Sequence, residues 1–234
     1  MNKVARDLFL YRFGVERCYR RKVLLENPGW YWTDVLKLAV SYKMRSAEEF
    51  TFIQVGGFDG VSNDPIHGIV REFGIRGIIV EPQKDAFEML KRNYADHPGV
   101  LLVNAAVSAV EETRDFFTVK DSSEQTASFD RNHLLKFGVP EEKIVCTRIR
   151  CHTLAGLRSR YGFGKFDLVQ IDAEGYDFEI IKTIDFDSAR PSLIRFEHKH
   201  LSERDCTECV RMLARHGYRF LSEKSDIIAL AADR

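Results

Sequence analysis

From residue 50 onward the chain alternates between two hydrophobic rhythms. Short apolar runs, of the kind buried on both faces of a sheet, are followed by stretches whose apolar residues recur at helical spacing. The first run, Phe52-Ile53-Gln54-Val55, stops at Gly56-Gly57, and a turn through Phe58, Asp59, Gly60, Val61 and Ser62 leads to Asn63-Asp64-Pro65. Ile66, Ile69, Val70 and Phe73 then fall at i, i+3, i+4 and i+7, so a helix is predicted from Pro65 with Asn63 or Asp64 as its cap. Residues 77–80 form a second apolar run ending in Glu81, and Phe87, Leu90 and Tyr94 give the next helix its stripe. Residues 100–103 predict a third strand that ends at Asn104-Ala105, and residues 116–119 an additional one. Residues 120–133 are polar and turn-rich, which predicts a mobile loop.

Residues 144–151 alternate like a strand and 154–161 predict a short helix. Residues 166–172 are a buried strand ending in Asp172, followed by a helix marked by Phe178, Ile181 and Ile184. Residues 193–197 predict a strand ending in Glu197, 202–216 a helix, and 218–221 with 227–230 a closing antiparallel pair. Strands alternating with helices predict an α/β fold, an open and mainly parallel sheet with helices on both faces.

Residues 1–49 read as a separate N-terminal helical extension before a main domain of residues 50–234. Its first 25 residues carry Lys3, Arg6, Arg12, Arg17, Arg20, Arg21 and Lys22 against Asp7 and Glu16, with Val4, Leu8, Tyr11 and Val15 on one stripe. Such a basic amphipathic helix suits peripheral contact with anionic lipid or a phosphorylated substrate, or packs across the domain. After Pro28-Gly29, residues 30–44 predict a second helix with Trp32, Val35, Leu36, Ala39 and Val40 inward, placed as a roof over the substrate side.

Composition narrows the classes. The 234 residues fit one large α/β domain, and a formal net charge of zero argues against a nucleic-acid binder working by bulk electrostatics. No apolar run approaches the roughly 20 residues of a transmembrane segment, no signal-peptide pattern opens the chain, and an odd count of five cysteines suits reduced thiols. A cytoplasmic location is the expectation. Cys206 and Cys209 share a helical stripe with Val210 and Leu213, so they read as core packing and not as a zinc or redox pair.

Chemistry belongs at the carboxyl ends of the strands, where open parallel sheets bind ligands. Those ends carry Gly56 to Gly60, Glu81, Asn104-Ala105, Asp172 to Gly175 and Glu197-His198. Glu81 can accept hydrogen bonds from both hydroxyls of a ribose, and Asn104 can pair with a base edge. Gly56, Gly57 and Gly60 do not match the Gly-x-Gly-x-x-Gly of dinucleotide folds, and no Gly-Lys-Ser/Thr follows the first strand. Asp59 in the turn would repel a pyrophosphate but suits a cofactor with a cationic amino-acid end. S-adenosylmethionine has an ammonium, a sulfonium and a ribose.

Five segments together resemble the successive motifs of the FkbM family of S-adenosylmethionine-dependent methyltransferases. They are residues 52–62, residues 79–82 (Ile-Val-Glu-Pro), residues 104–107 (Asn-Ala-Ala-Val), residues 171–176 (Ile-Asp-Ala-Glu-Gly-Tyr) and residues 194–197 (Ile-Arg-Phe-Glu). The similarity runs over about 50–231, and the Ile-Asp-x-Glu-Gly element is its most specific part. It implies a Rossmann-like class I methyltransferase fold, a mostly parallel seven-stranded sheet with a reversed last strand, and O-methylation of a sugar or natural-product hydroxyl. It also implies that Gly56, Asp59 and Gly60 line the methionine portion, Glu81 the ribose and Asn104-Ala105 the adenine, with Gly57, Phe58, Ser62 and Pro82 as further cofactor-binding residues. Two positions depart from the family pattern: Gln54 stands where an acidic residue commonly opens the first motif, and Phe58 where Asn is usual.

Methyl transfer to a hydroxyl is an in-line displacement that also needs a base for the acceptor proton. His198 or Asp172 is that base, with Glu197 beside them; Asp172 also belongs to the cofactor cradle. Glu174 and Tyr176 are placed to bind the acceptor. A Mg²⁺ held by Asp172 and Glu197 is a further option, left open. Two other classes stay in view: a nicotinamide-dependent oxidoreductase on the same sheet, and a non-catalytic cofactor-binding module.

Overall fold

The computed structural model describes residues 15–16, 34–45, 47–120, 127–223 and 225–232. The strands are β1 (Val15–Glu16), β2 (Thr51–Val55), β3 (Arg76–Val80), β4 (Val100–Val103), β5 (Ala106–Val107), β6 (Glu112–Val119), β7 (Ile144–His152), β8 (Leu168–Ile171), β9 (Leu193–Glu197), β10 (Tyr218–Glu223) and β11 (Asp226–Ala231). The helices are α1 (Val35–Met44), α2 (His67–Phe73), α3 (Lys84–Asn93), α4 (Arg131–Lys136), α5 (Leu154–Arg160), α6 (Asp177–Ile181) and α7 (Glu203–Arg215), with a 3₁₀ turn at Glu141–Lys143.

The main sheet runs β1-β10-β11-β9-β8-β2-β3-β4. Its seven long strands are parallel except β11, the last in the chain, which pairs antiparallel with both β9 and β10. The eighth, β1, is a two-residue strand parallel to β10. A second sheet, β5-β7-β6, stands apart from it. Residues 144–151 were expected as another strand of one sheet; here β7 hydrogen-bonds along its length to β6 and, at its end, to β5.

Both faces of the main sheet are covered, which is why its central strands read as unbroken apolar runs. Side chains alternate between the faces along each strand. Ile53, Val55, Ile78 and Val80 pack with α5, α6 and α7 through Leu157, Ile180, Ile181, Cys209 and Leu213. Phe52 and Ile79 point the other way, into a cluster with Leu36 and Val40 of α1, Ile69 and Val70 of α2 and Leu90 of α3. Gln54 shares the period of Phe52 yet is polar and 2% exposed, the first sign of a task other than packing.

Several expectations are corrected. The described part of the second N-terminal helix does not roof the cleft: Leu36, Ala39 and Val40 are buried on the sheet face, and Lys43 Nζ donates to the Ala231 carbonyl. Val15, expected on the basic helical stripe, lies in β1, because the outer edge of β10 offers backbone groups to pair with. The rest of that stripe, with Trp30 and Trp32, lies outside the described residues. Helix α2 starts at His67 and not Pro65, because Asp64 Oδ1 accepts from the Ile66 and His67 amides at 2.6 and 2.9 Å. Within the expected loop, Ser128 bridges to Phe117 and residues 131–136 are helical, while residues 121–126 lie outside the described residues. Cys209 is fully buried and Cys206 packs beside it, as their stripe predicts. Among the described residues no helix is long and apolar enough to cross a membrane.

Candidate functional site

Strands β2 and β8 are neighbours from which the chain builds outward in opposite directions, toward β3 and β4 on one side and β9 on the other. Loops leaving such a pair diverge and open a crevice. An open cleft lies there, lined by the ends of β2, β3 and β8 and by the segments around β5 and β6.

Its floor is the turn after β2. A Cβ on Gly56, whose φ is +81°, would lie 2.0 Å from the Asp172 carbonyl oxygen, and one on Gly57 would lie 2.2 Å from Ile79 Cγ2. At Gly56 and Gly57 the turn therefore packs against the end of β8 and against β3 with no room for a side chain, and both glycines present backbone to the cleft. Phe58, Asn63 and Glu174 are the three non-glycine residues with positive φ among those described, and all three line this cleft. Left-handed backbone at such residues is strained and tends to gather at binding sites.

Glu81 ends β3 and is 3% exposed. Its Oε2 accepts from the Phe58 amide and its Oε1 from the Gln83 amide, each at 2.7 Å. Burial pushes its carboxyl up to about 7; Asp172 adds to that, and the backbone amides only partly oppose it. Both oxygens keep lone pairs for a ligand's hydroxyls. Pro82 and Ala105 also line the cleft. Asn104 does not: its side chain donates to the carbonyls of Glu81 at 2.8 Å and Pro82 at 3.2 Å, fixing the strand end.

Asp59 and Gly60 are also absent from the lining, whereas Ser62 is part of it. Asp59 is spent on its own turn, accepting from the Val61 and Ser62 amides and from Ser62 Oγ at 2.6 to 2.9 Å. Desolvation works against its ionised form, but those bonds prevail and hold its carboxyl below the usual range. Gln54 Nε2–H donates to Asp64 Oδ2 at 3.0 Å, and both residues line the cleft. Asp64 thus places a carboxylate beside position 54 in the cleft wall. Burial raises the Asp64 carboxyl while Gln54 and the two helix amides pull it back. Gln54 Oε1 is buried without a hydrogen-bond partner, an acceptor waiting for a donor.

At the other end Asp172, Ala173 and Glu174 line the cleft with Phe116 from β6 and Phe129 from the segment after it. Asp172 opens to the cleft, yet desolvation by the protein around it, with Asp226, raises its carboxyl against Arg195 and Lys199. Burial and Asp172 push Glu174 up to about 7. Tyr176 stands behind this wall: its hydroxyl accepts from Arg114 Nη1 at 3.1 Å, and its ring packs edge-on against Phe129 at 5.2 Å.

Glu197 and His198 lie outside the lining. The His198 amide donates to the Ser225 carbonyl, and its Nε2 is buried without a partner. Burial, then Asp172, Glu174 and Asp177, push Glu197 up to about 8. The Mg²⁺ option left open at Asp172 and Glu197 has no third donor beside the pair among the described residues. Among the described residues the group of metal-ligating side chains is His133, Glu174 and His200, without Asp172.

Sequence reasoning marked Gln54 only as a departure from the family pattern, and missed Gln170 and Asp177. Gln54 and Gln170 had a signal, as polar residues inside apolar strands, and Gln170 lines the cleft. Asp177, fully buried, accepts from the Ala173 and Glu197 amides and so ties the ends of β8 and β9 together; burial pushes it up to about 7. His133 had no local signal.

A methyltransferase FkbM domain model matches residues 54–220. Solved structures with related coordinates include a methyltransferase FkbM from Methylobacillus flagellatus KT, at 11% identity and TM-score 0.47 over 83% of this chain and 47% of that one. The chain thus spans about half the length of that protein. Others are the N-terminal domain of human METTL16 in complex with SAH, at 14% identity and TM-score 0.42 over 97% and 79% of the two chains, and a precorrin-6y C5,15-methyltransferase from Geobacter metallireducens GS-15, at 12% and 0.43 over 84% and 88%. No curated protein matches the chain. With the family model covering the strand-end turns that build the cleft, the chain belongs to the FkbM methyltransferase family.

Proposed function

We propose that this protein is an S-adenosylmethionine-dependent methyltransferase acting on a hydroxyl of a sugar or natural-product acceptor. The observation that carries the reading is Glu81, a buried carboxyl held by two backbone amides beside a turn whose Gly56 and Gly57 admit no side chain. The cleft fits the cofactor: glycine backbone for the methionine chain, the unpartnered Gln54 oxygen with Asp64 for its ammonium, and Glu81 for the ribose. When bound, S-adenosylmethionine supplies a methyl group on an electron-poor sulfonium.

The protein's own residues then orient and deprotonate. Glu81 fixes the sugar, which sets the direction from which an acceptor approaches. Asp172, at the end of β8 and in the lining, takes the acceptor proton, its raised carboxyl bringing it nearer to working pH. Phe116 and Phe129 offer apolar faces that exclude water, and Glu174 orients the acceptor. His198, outside the lining, takes no direct part.

Calorimetric titration of the full chain with S-adenosylhomocysteine and, separately, with NAD⁺ and NADH tests the cofactor. Binding of the first alone, weakened by about 1–3 kcal/mol in Glu81→Ala, is expected. Binding of a nicotinamide instead, or unchanged affinity in the variant, overturns it. Transfer of labelled methyl to a panel of glycosides, lost in Asp172→Asn while S-adenosylhomocysteine still binds, tests the acceptor class.

A further inference from the structure

Three segments that are distant in the chain bring nitrogen and oxygen donors together at the Glu174 end of the cleft. His133 comes from α4, Glu174 from the turn after β8, and His200 from the loop after β9. Nε2 of His133 and Nε2 of His200 each stand 3.5 Å from Oε2 of Glu174. One donor atom from each of the three lies within 4.8 Å of the other two. Glu197 Oε2 lies 3.4 Å from the same His200 nitrogen.

These distances are too long for the charge-assisted hydrogen bonds that His and Glu ordinarily make. The molecule holds its own control: His152 Nδ1 lies 2.7 Å from Glu111 Oε2, an ordinary bonded pair. Donors placed about 2.0–2.1 Å from a tetrahedral ion are, by that geometry, about 3.3–3.4 Å apart. The two histidine-to-Glu174 spacings of 3.5 Å are close to what an ion would impose, and the two imidazoles, within 4.8 Å of each other, close on it with a small ring movement. The nitrogens are also poorly served without one: His133 Nε2 is buried with no hydrogen-bond partner, and the His200 side chain is 10% exposed.

The rings are held in place by packing. His133 and His200 meet edge to face with centroids 5.2 Å apart, and Phe137 packs against both at 4.8 and 5.1 Å. Glu174 reaches the cluster from a left-handed backbone, φ +49°, a strain that a structure retains when a local task requires it.

We infer that His133, Glu174 and His200 form a site for a divalent transition-metal ion of the Zn²⁺ type, with Glu197 alongside and a coordination position open to the cleft. Two imidazoles and one carboxylate favour such an ion over Mg²⁺ or Ca²⁺, which take oxygen ligands. Three protein ligands with a fourth position free is the arrangement of ion sites that act on substrates. Glu174 lines the cleft, so the ion sits where an acceptor oxygen arrives and lowers its pKa. That last role rests on the hydroxyl-methylation reading; the site itself does not.

The test uses the full chain, stripped with a chelator and titrated with Zn²⁺ alone by calorimetry, and with Co²⁺ followed by visible absorption. One ion per chain is expected, with Co²⁺ bands of a four- or five-coordinate centre and no thiolate charge-transfer band. His200→Ala and Glu174→Gln, checked for folding by circular dichroism, should each weaken binding by more than about tenfold. No stoichiometric binding to the unmutated chain, an octahedral or thiolate Co²⁺ spectrum, or affinity unchanged in folded variants overturns the site. The Co²⁺ readout needs no variant, so it decides the matter even if both variants misfold. A bound ion with no hydroxyl ever methylated removes only its role at the acceptor and leaves the site standing.

Discussion

Gly56 is where one residue's geometry bears most directly on the cleft. Its φ of +81° is strained for any L side chain, and a methyl group there would collide with the Asp172 backbone, which cannot swing aside as a side-chain tip can. Gly56→Ala should therefore cost more than about 2 kcal/mol in urea denaturation, through backbone strain and overpacking combined. A loss below 0.5 kcal/mol, roughly the level of a neutral surface change, would show that the turn can move. Glu81 makes a pH prediction. Its carboxyl stays protonated to about 7 in the folded chain, whereas ribose hydroxyls donate best to the ionised form. S-adenosylhomocysteine should thus bind more tightly as pH rises through about 7, and Glu81→Gln should flatten that profile. The same shift affects stability with a definite sign. The raised folded-state value means the stabilising contribution is full below the unfolded value near 4.5 and is lost as pH rises toward 7. Urea midpoints of the Glu81→Gln variant should accordingly lose the part of the acid-to-neutral decline that Glu81 causes.

Among the elements, those with long apolar patterns were legible and those without were not. Helix α7 carries its start signal in sequence: Ser202 Oγ accepts from the Asp205 amide at 3.0 Å, as an N-cap should. Ser202→Ala should cost about 1 kcal/mol in thermal or urea denaturation. An unchanged midpoint would mean that water serves that amide equally well. Helix α4 also has a cap, Asp130, but lacks a long apolar stripe to go with it. It has six residues, its single buried side chain is Leu134, and its cap Asp130 sits in a stretch whose polarity reads as loop. The second sheet was hidden for a different reason. The alternation along β7 is equally compatible with the main sheet, and only its pairing with β6 over eight register positions assigns it elsewhere. That sheet is what brings Phe116 to the cleft.

For the molecule as a whole, the order of strands sets both stability and the place of the site. β2 and β8 are buried along their full length and flanked by strands on each side. In native-state hydrogen exchange their amides, with those of β3 and β9, should be the slowest, and those of β5 to β7 should exchange earlier. Equal protection in the two sheets would mean that they unfold as one unit. The switch point between β2 and β8 also explains why Glu81 and Asp172 gather: β3 and β8 flank β2, so their C-terminal ends open into one crevice.

The sequence by itself determined the alternation of strand and helix, the glycine turn after the first strand, and the acids at the strand ends, because each follows from local periodicity or from what one residue type can do. It also carried the family, through motifs short enough to be read in line. Only the tertiary structure decided that Asn104 and Asp59 brace turns while Gln54 and Asp64 face the cleft. It alone brought His133 to Glu174 and His200. Those outcomes depend on which side chains meet across chain separations that no local pattern records, and on partners that burial makes each polar group find.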